Sequence, residues 1–300
     1  MVRFAGDSRA VGLAAAISAV TLGLLYLHMA GAPARLLLMN LAALAIGLVL
    51  FALAKPLSLA ARRHRGPLLI GLGLLLLLTT LGGVSVEGAT RWVTIGGLSI
   101  QLSLILVPFL VTTHASRSDD WSEAALYLAV LAITVQPDRA VAVMLMSGIA
   151  AIAIRRFDRR SLFLALAAAA GLITALVRPD ALPAVPFVDR ILYTSFNVDP
   201  VAGMTVLAGT CLLFLPALPL IWRRGNVAVG AFAAVWGAAV LAAALGNYPT
   251  PLVGYGGSAI IGYLLSLVPL PRNGAAAASH LKTVEDAASD DVSGLRFAGS

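Results

Sequence analysis

Long apolar runs, interrupted at short intervals by charge, glycine and proline, set the pattern of this chain. Runs of the length a helix needs to cross about 30 Å of hydrocarbon fall at 10–30, 36–54, 67–83, 99–115, 122–136, 139–154, 161–177, 201–222, 227–246 and 258–270. They predict an all-α polytopic membrane protein of about ten transmembrane helices. The fifth and sixth runs are short and meet at QPDR, 136–139, where a proline and two charges break the apolar pattern; a single broken helix is the alternative there.

The basic residues orient these spans. Arg3 and Arg9, then Lys55, Arg62, Arg63 and Arg65, then Arg117, then Arg155, Arg156, Arg159 and Arg160, then Arg223 and Arg224, and finally Arg272 fall on alternate turns. The positive-inside rule makes those turns cytoplasmic. Both termini are then cytoplasmic, and 84–98, 136–139, 178–200 and 247–257 share the opposite face as loops. The first run, after MVRFAGDSRA, is read as a retained span, because no small-residue cleavage site followed by a soluble domain is present. Residues 1–272 form the transmembrane domain. The Ala/Ser/Gly/Asp-rich tail 273–300 has little apolar periodicity and is expected to be a disordered cytoplasmic end.

One stretch resists the bilayer. Residues 178–200, RPDALPAVPFVDRILYTSFNVDP, hold three aspartates, two arginines and four prolines. A backbone broken by Pro183, Pro186 and Pro200 cannot satisfy its own hydrogen bonds in lipid, so the segment must lie in water or in a protein-lined cavity.

Composition agrees with the membrane reading. The chain is 60% hydrophobic and only 12% charged, against roughly 25% charged in soluble domains. The net charge of +7 follows from cationic cytoplasmic loops; no patch of interleaved basic and aromatic residues points to nucleic acid. The single Cys211 offers neither a disulfide framework nor a cysteine metal site, and His28, His64, His114 and His280 lack metal-ligand spacing. No cofactor is implied, and a need for a divalent cation stays open.

Three stretches carry a family resemblance. GATRWVTIGGLSIQ at 88–101, QPD at 136–138 and PTPLVGYGGS at 249–258 occur in this order on a ten-span pattern. They resemble the GAxRWxxxGxxxIQxS, QPDLG and PLPFVSYGGSS stretches of the SEDS proteins, the FtsW/RodA/SpoVE family of cell division, elongation and sporulation. The resemblance covers about 10–270. It implies a SEDS-like bundle in the bacterial inner membrane that polymerises peptidoglycan glycan strands from lipid II or another undecaprenyl-linked precursor. A class B penicillin-binding protein is the implied partner, alongside membrane lipids. The family is also associated with a catalytic aspartate in the large outer loop, occupied here by 178–200. Arg190-Ile191 followed by Asp199-Pro200 and Gly203 resembles the family's RI…DPxxxG pattern, and the resemblance places the catalytic role on Asp199.

The departures matter as well. The family's fourth span opens IQPSEFxK, where this chain reads IQLSLILV at 100–107, and the outer loop is much shorter. Two further readings follow: a non-catalytic SEDS-like partner that binds precursor or transpeptidase, and a lipid II flippase, which would need a polar path that the spans scarcely offer.

Each candidate residue has a bland reading beside the functional one. Asp199 is a general base or the N-cap of the helix beginning at Pro200. Asp189 is an alternative base or an ion-pair partner of Arg190. Arg190, Arg91 and Arg178 bind a diphosphate or anchor headgroups. Asp138 is a functional intramembrane acid or a partner of Arg139. Trp92, Gln101, Gln136 and Pro137 are expected to shape the fold, and Tyr255, Gly256, Gly257 and Ser258 to form either a close approach to substrate or a packed helix break.

Overall fold

The computed structural model describes residues 7–60, 64–82, 84–86, 89–95, 98–136, 138–178, 183–218 and 226–271. Expectations that concern Pro137, Asp180, Gly96, Gly97, Arg3, Arg62, Arg63, Arg223, Arg224, Arg272 and the tail 273–300 fall outside them. The helices described are α1 (Ser8–Met29), α2 (Ala34–Ala60), α3 (Arg65–Gly82), α4 (Leu102–Ser116), α5 (Asp120–Val135), α6 (Arg139–Arg156), α7 (Arg159–Val177), α8 (Ile191–Val198), α9 (Pro200–Leu212), α10 (Val227–Leu245) and α11 (Gly257–Ser266). Each apolar run coincides with one of them, and α8 is additional.

Among the described residues, five helices are long and apolar enough to cross a membrane by length and composition: α1, α2, α7, α9 with its following 3-10 turn, and α10. The apolar α3, α4 and α11 are shorter. The bundle is all-α and of membrane type. Leucine, isoleucine and valine cover its outside, as at Leu38, Leu78, Ile154 and Val177, because hydrocarbon asks no polarity of a helix surface.

Helix starts account for much of the scarce acid. Asp7, Asp119, Asp138, Asp158 and Asp199 each accept a hydrogen bond from a first-turn backbone N–H of the helix that follows, and Asn226 does the same for α10. Those donors have no partner within the helix, so a short carboxylate at the cap satisfies them.

Two segments expected as loops are ordered. Three antiparallel strands, β1 (Val84–Val86), β2 (Ala89–Ile95) and β3 (Leu98–Ile100), form a small sheet in which Val93 pairs with Ile100 and Ile95 with Leu98. The alternating β-branched residues of ATRWVTI favour a strand, and cross-strand pairing meets backbone needs that a bare loop would leave to water. Within 178–200, α8 meets α9 at a tight corner around Asp199.

The core lies among α4, α6, α10 and α11. Tyr263 of α11 meets Phe232 of α10 edge-on, ring centroids 5.2 Å apart, and its hydroxyl donates to the Leu213 carbonyl. Trp236 Nε1 donates to Ser266 Oγ, so the two polar tips among buried rings are both paired. Close approach of α11 to α4 depends on Gly262, where a Cβ would lie 2.1 Å from the Leu104 carbonyl oxygen.

The two ends of the bundle differ in chemistry. At one end, Arg65 pairs with Asp119, Arg160 with Asp120 and Glu123, and Arg156 donates to the carbonyls of His114 and Ala115. There the Ser161 backbone and hydroxyl donors hold the Asp158 carboxyl below the usual carboxylate range. The other end carries the sheet, the start of α6 and the segments 183–199 and 247–257.

Candidate functional site

A cavity of about 630 Å³ opens at that second end, and all four unusual segments contribute to it. Trp92 and Ser99 come from the sheet, Gln101 from the start of α4, and Asp138 from the start of α6. Val185 and Asp189 come from the segment before α8, and Tyr255 to Ser258 from the turn into α11. Apolar side chains of α4, α6 and α10, among them Leu104, Met144 and Trp236, form the wall toward the core.

Gln101 ties the three resembling stretches together. Its Nε2 donates to Asp138 Oδ2 at 2.7 Å and to Ser103 Oγ at 3.3 Å, while its backbone N–H donates to Ser258 Oγ at 2.9 Å. Asp138 is 1% exposed. Its other oxygen accepts from the Val141 N–H at 3.1 Å, so the carboxylate caps α6 and faces Gln101 at once. Its neighbour Arg139 turns one Nη to the carbonyls of Leu176 and Arg178. Gln136 is buried, closing α5 by donating its N–H to the Ala132 carbonyl.

The turn into α11 is pinned from two sides. Buried Asn40 of α2 donates to the Gly254 carbonyl and accepts from the Gly256 N–H, and the Tyr255 hydroxyl reaches Met39 Sδ at 3.4 Å. The Tyr255 N–H donates to the Phe187 carbonyl and the Thr250 N–H to that of Val188, which locks this turn to 183–190. Gly256 precedes α11 and Gly257 opens it, so the N-terminus of this helix forms part of the cavity wall.

Asp189 is 8% exposed. Its Oδ2 accepts from the Val185 N–H at 2.8 Å, and its Oδ1 is buried with no hydrogen-bond partner among the described residues. Burial pushes the carboxyl above the usual carboxylate range, against the smaller opposing pulls of the Val185 N–H and the Arg190 charge.

Asp199 does not line this cavity. Its carboxylate accepts from the Val201 N–H at 2.7 Å, Pro200 follows at the first helical position, and Gly203 makes room for the Phe196 ring. The Asp-Pro…Gly spacing thus builds the α8–α9 corner.

The arginines separate. Arg190 holds a left-handed backbone, φ 58°, and donates from Nε to Asn247 Oδ1 at 2.7 Å, lining a neighbouring groove. Arg178 Nη1 donates to the Val135 carbonyl at the end of α5. Arg91 sits on β2, with its side chain outside the described part of the structure. Among the described residues, the cation that lines the cavity itself is Arg35, at the start of α2. Sequence reasoning passed over both Arg35 and Asn40. Arg35 had a signal, an arginine between the first two spans on the face that the positive-inside pattern leaves poor in charge; Asn40 had only its polarity within an apolar run.

No protein-family model matches the sequence, and no curated protein does. Solved structures do match. The rod shape determining protein RodA of Thermus thermophilus superposes with a TM-score of 0.55 at 23% identity, over 86% of this chain and 93% of that one. The fold is that of RodA. An aspartate-to-alanine mutant of the same RodA gives the same score. A peptidoglycan synthase complex, studied for its coordination of polymerization and crosslinking, gives 0.54 at 24% identity, over 86% of this chain and 95% of that one.

On the RodA fold, the described residues of the cavity combine one arginine, a helix N-terminus, a held carboxylate at Asp138 and, at Asp189, a carboxylate oxygen with no hydrogen-bond partner among them. It can bind an anion and accept a proton. Among the described residues no group of three or more His, Cys, Asp or Glu side chains stands close enough to hold a metal ion.

Proposed function

We propose that this RodA-fold chain is a SEDS-family protein that takes lipid II or another undecaprenyl-linked sugar diphosphate into the cavity and extends a glycan strand. The observation that carries this reading is Asp189, buried at the cavity wall with Oδ1 unpaired, in the same cavity as Arg35 and the start of α11. Asp189 Oδ1 takes the proton from an acceptor sugar hydroxyl as its oxygen bonds to the donor's anomeric carbon. The bond from that carbon to the diphosphate oxygen breaks, and the lipid diphosphate leaves with the electron pair. Arg35 and the backbone N–H groups opening α11 offset the charge that develops on the leaving group.

Asp138, with both oxygens engaged, positions Gln101 and the α6 start, and Asp199 caps α9. The partner is a class B penicillin-binding protein, and the work is glycan synthesis in division or cell shape. The chain sits in the bacterial inner membrane with both termini cytoplasmic, since the end rich in Arg65, Arg156 and Arg160 is the inner one.

A second reading has its own observation: Leu104 stands on the cavity wall next to Gln101, in a stretch where the family carries charge. A wall of that kind suits a non-catalytic partner that binds precursor. Purified protein, alone and with a class B penicillin-binding protein, is to be given labelled lipid II. Glycan polymer lost on Asp189→Asn supports catalysis by this chain. Lipid II binding without polymer supports the partner, and neither binding nor polymer sinks both.

A further inference from the structure

A second groove, of about 510 Å³, lies beside the cavity between α6, α7 and α10, with Ala140, Pro183, Asn247 and Tyr248 shared between the two. Its chemistry is unlike that of the cavity. Two arginines, Arg139 and Arg190, stand in it above apolar side chains.

Leucines near the ends of α7 and α10 form its most exposed apolar part, beside Ala140 and Val143 at the start of α6. Leu176 ends α7, and Leu241 and Leu245 end α10, at 50%, 53% and 80% exposure. Both helices are long and apolar enough to cross a membrane. Their exposed ends therefore meet lipid just below the headgroups, and the arginines stand at headgroup depth.

The guanidinium groups hold unused donors. Arg139 spends one Nη on the Leu176 and Arg178 carbonyls, whereas its Nε is buried with no hydrogen-bond partner among the described residues. A buried charged N–H without an acceptor is costly, and an anion in the groove that Arg139 lines offsets that cost through its charge. Arg190 spends Nε on Asn247, which leaves its terminal Nη groups to the groove. Its left-handed backbone, unfavourable for a residue with a Cβ, is maintained at this point.

We infer that this groove holds one anionic membrane phospholipid, its phosphodiester between Arg139 and Arg190 and its acyl chains along Leu176, Leu241 and Leu245. Planar guanidinium forks match phosphate oxygens, and the membrane supplies that anion at this depth at high local concentration. The volume suits one headgroup with the start of its chains. The site stands whether or not the neighbouring cavity performs glycan chemistry. If that cavity is active, the lipid lies against the Asn247–Tyr248 wall and so is placed to influence it.

The test uses the full chain in zwitterionic phosphatidylcholine nanodiscs, titrated with phosphatidylglycerol, and reads thermal unfolding together with lipid retained in native mass spectrometry. One phosphatidylglycerol per chain should be retained, at least several-fold over phosphatidylcholine, with a rise in Tm; inorganic phosphate should do neither. Arg190→Gln and the charge-keeping Arg139→Lys should each lower retention several-fold, and Arg178→Gln, whose side chain turns to Val135, should not. Equal retention of both lipids, or retention unchanged in both groove variants, overturns the site. Protection by inorganic phosphate alone overturns the lipid in favour of a free anion. Stoichiometric displacement of phosphatidylglycerol by a polyprenyl diphosphate would make the groove a substrate subsite and overturn the inference equally.

Discussion

Gln101 and Asp138, 37 positions apart, meet at 2.7 Å inside the bundle, so the start of α4 and the start of α6 are fixed to each other by one buried hydrogen bond. That bond explains why residues from separate stretches share a single cavity. A carboxylate at this depth needs each donor it has.

Gln101→Leu removes a donor from a buried carboxylate and fills the space with carbon. The expected cost is about 2–3 kcal/mol, more than an ordinary hydrogen bond, because the donor is lost to a buried carboxylate. Thermal unfolding in detergent checks it. A variant as stable as the parent would show that water replaces the glutamine, and that the link between α4 and α6 is dispensable.

Asp189→Asn and Asp199→Asn should part company. Asparagine caps a helix about as well as aspartate, so the change at Asp199 leaves the α9 start and the activity nearly intact. The same change at Asp189 keeps the shape but removes the proton acceptor, with an expected fall of roughly a hundredfold or more in polymerisation rate. Rates measured on purified variants decide; the reverse ranking would move the base to Asp199.

The raised pKa of Asp189 fixes the sign of two pH effects. Folding binds the proton more tightly there, so Asp189 favours the folded state below the usual carboxylate range. That contribution fades as pH rises through the elevated value. Proton acceptance needs the ionised form, so activity should fall on the acid side at a higher pH than an exposed carboxylate would give. Unfolding curves and rates between acid and neutral pH test both, and Asp189→Asn should flatten this part of the stability profile.

Gly262→Ala should be among the most damaging small substitutions. Its Cβ would sit 2.1 Å from the Leu104 carbonyl oxygen, so α11 must move off α4, at a cost of about 1–3 kcal/mol. Gly256→Ala, where no atom lies within 4 Å of the added carbon, is the matched control and should be mild. Equal Tm values for the two would mean that the helices separate freely.

Cysteines placed at His64 and Tyr193, in a Cys211→Ser background, should label from opposite sides of the membrane. Residue 64 lies next to Arg65 at the basic end and residue 193 in α8 at the cavity end. Labelling of both from one side would overturn the assigned orientation.

The sequence by itself determined the helices and their order. Each run of apolar residues long enough for hydrocarbon became a helix, since a lipid-facing backbone must satisfy its hydrogen bonds within its own segment. The sequence also singled out Trp92, Gln101, Asp138, Asp189 and the Tyr255–Ser258 turn, by family resemblance or as an acid beside a span, and they line one cavity. It did not separate Asp189 from Asp199, because an aspartate before a helix looks alike whether its carboxylate turns back to a first-turn N–H or stands against a cavity. Only the tertiary structure shows which carboxylate stands at the cavity: Asp199 takes the Val201 N–H, whereas Asp189 lines the cavity with an Oδ1 that has no hydrogen-bond partner among the described residues. The β1–β3 meander, the entry of Arg35 into the cavity and the anchoring of the α11 turn by Asn40 were likewise tertiary outcomes. Pairing partners distant in sequence leave no local period, and a lone polar residue in an apolar run does not say what it faces until neighbouring helices are in place.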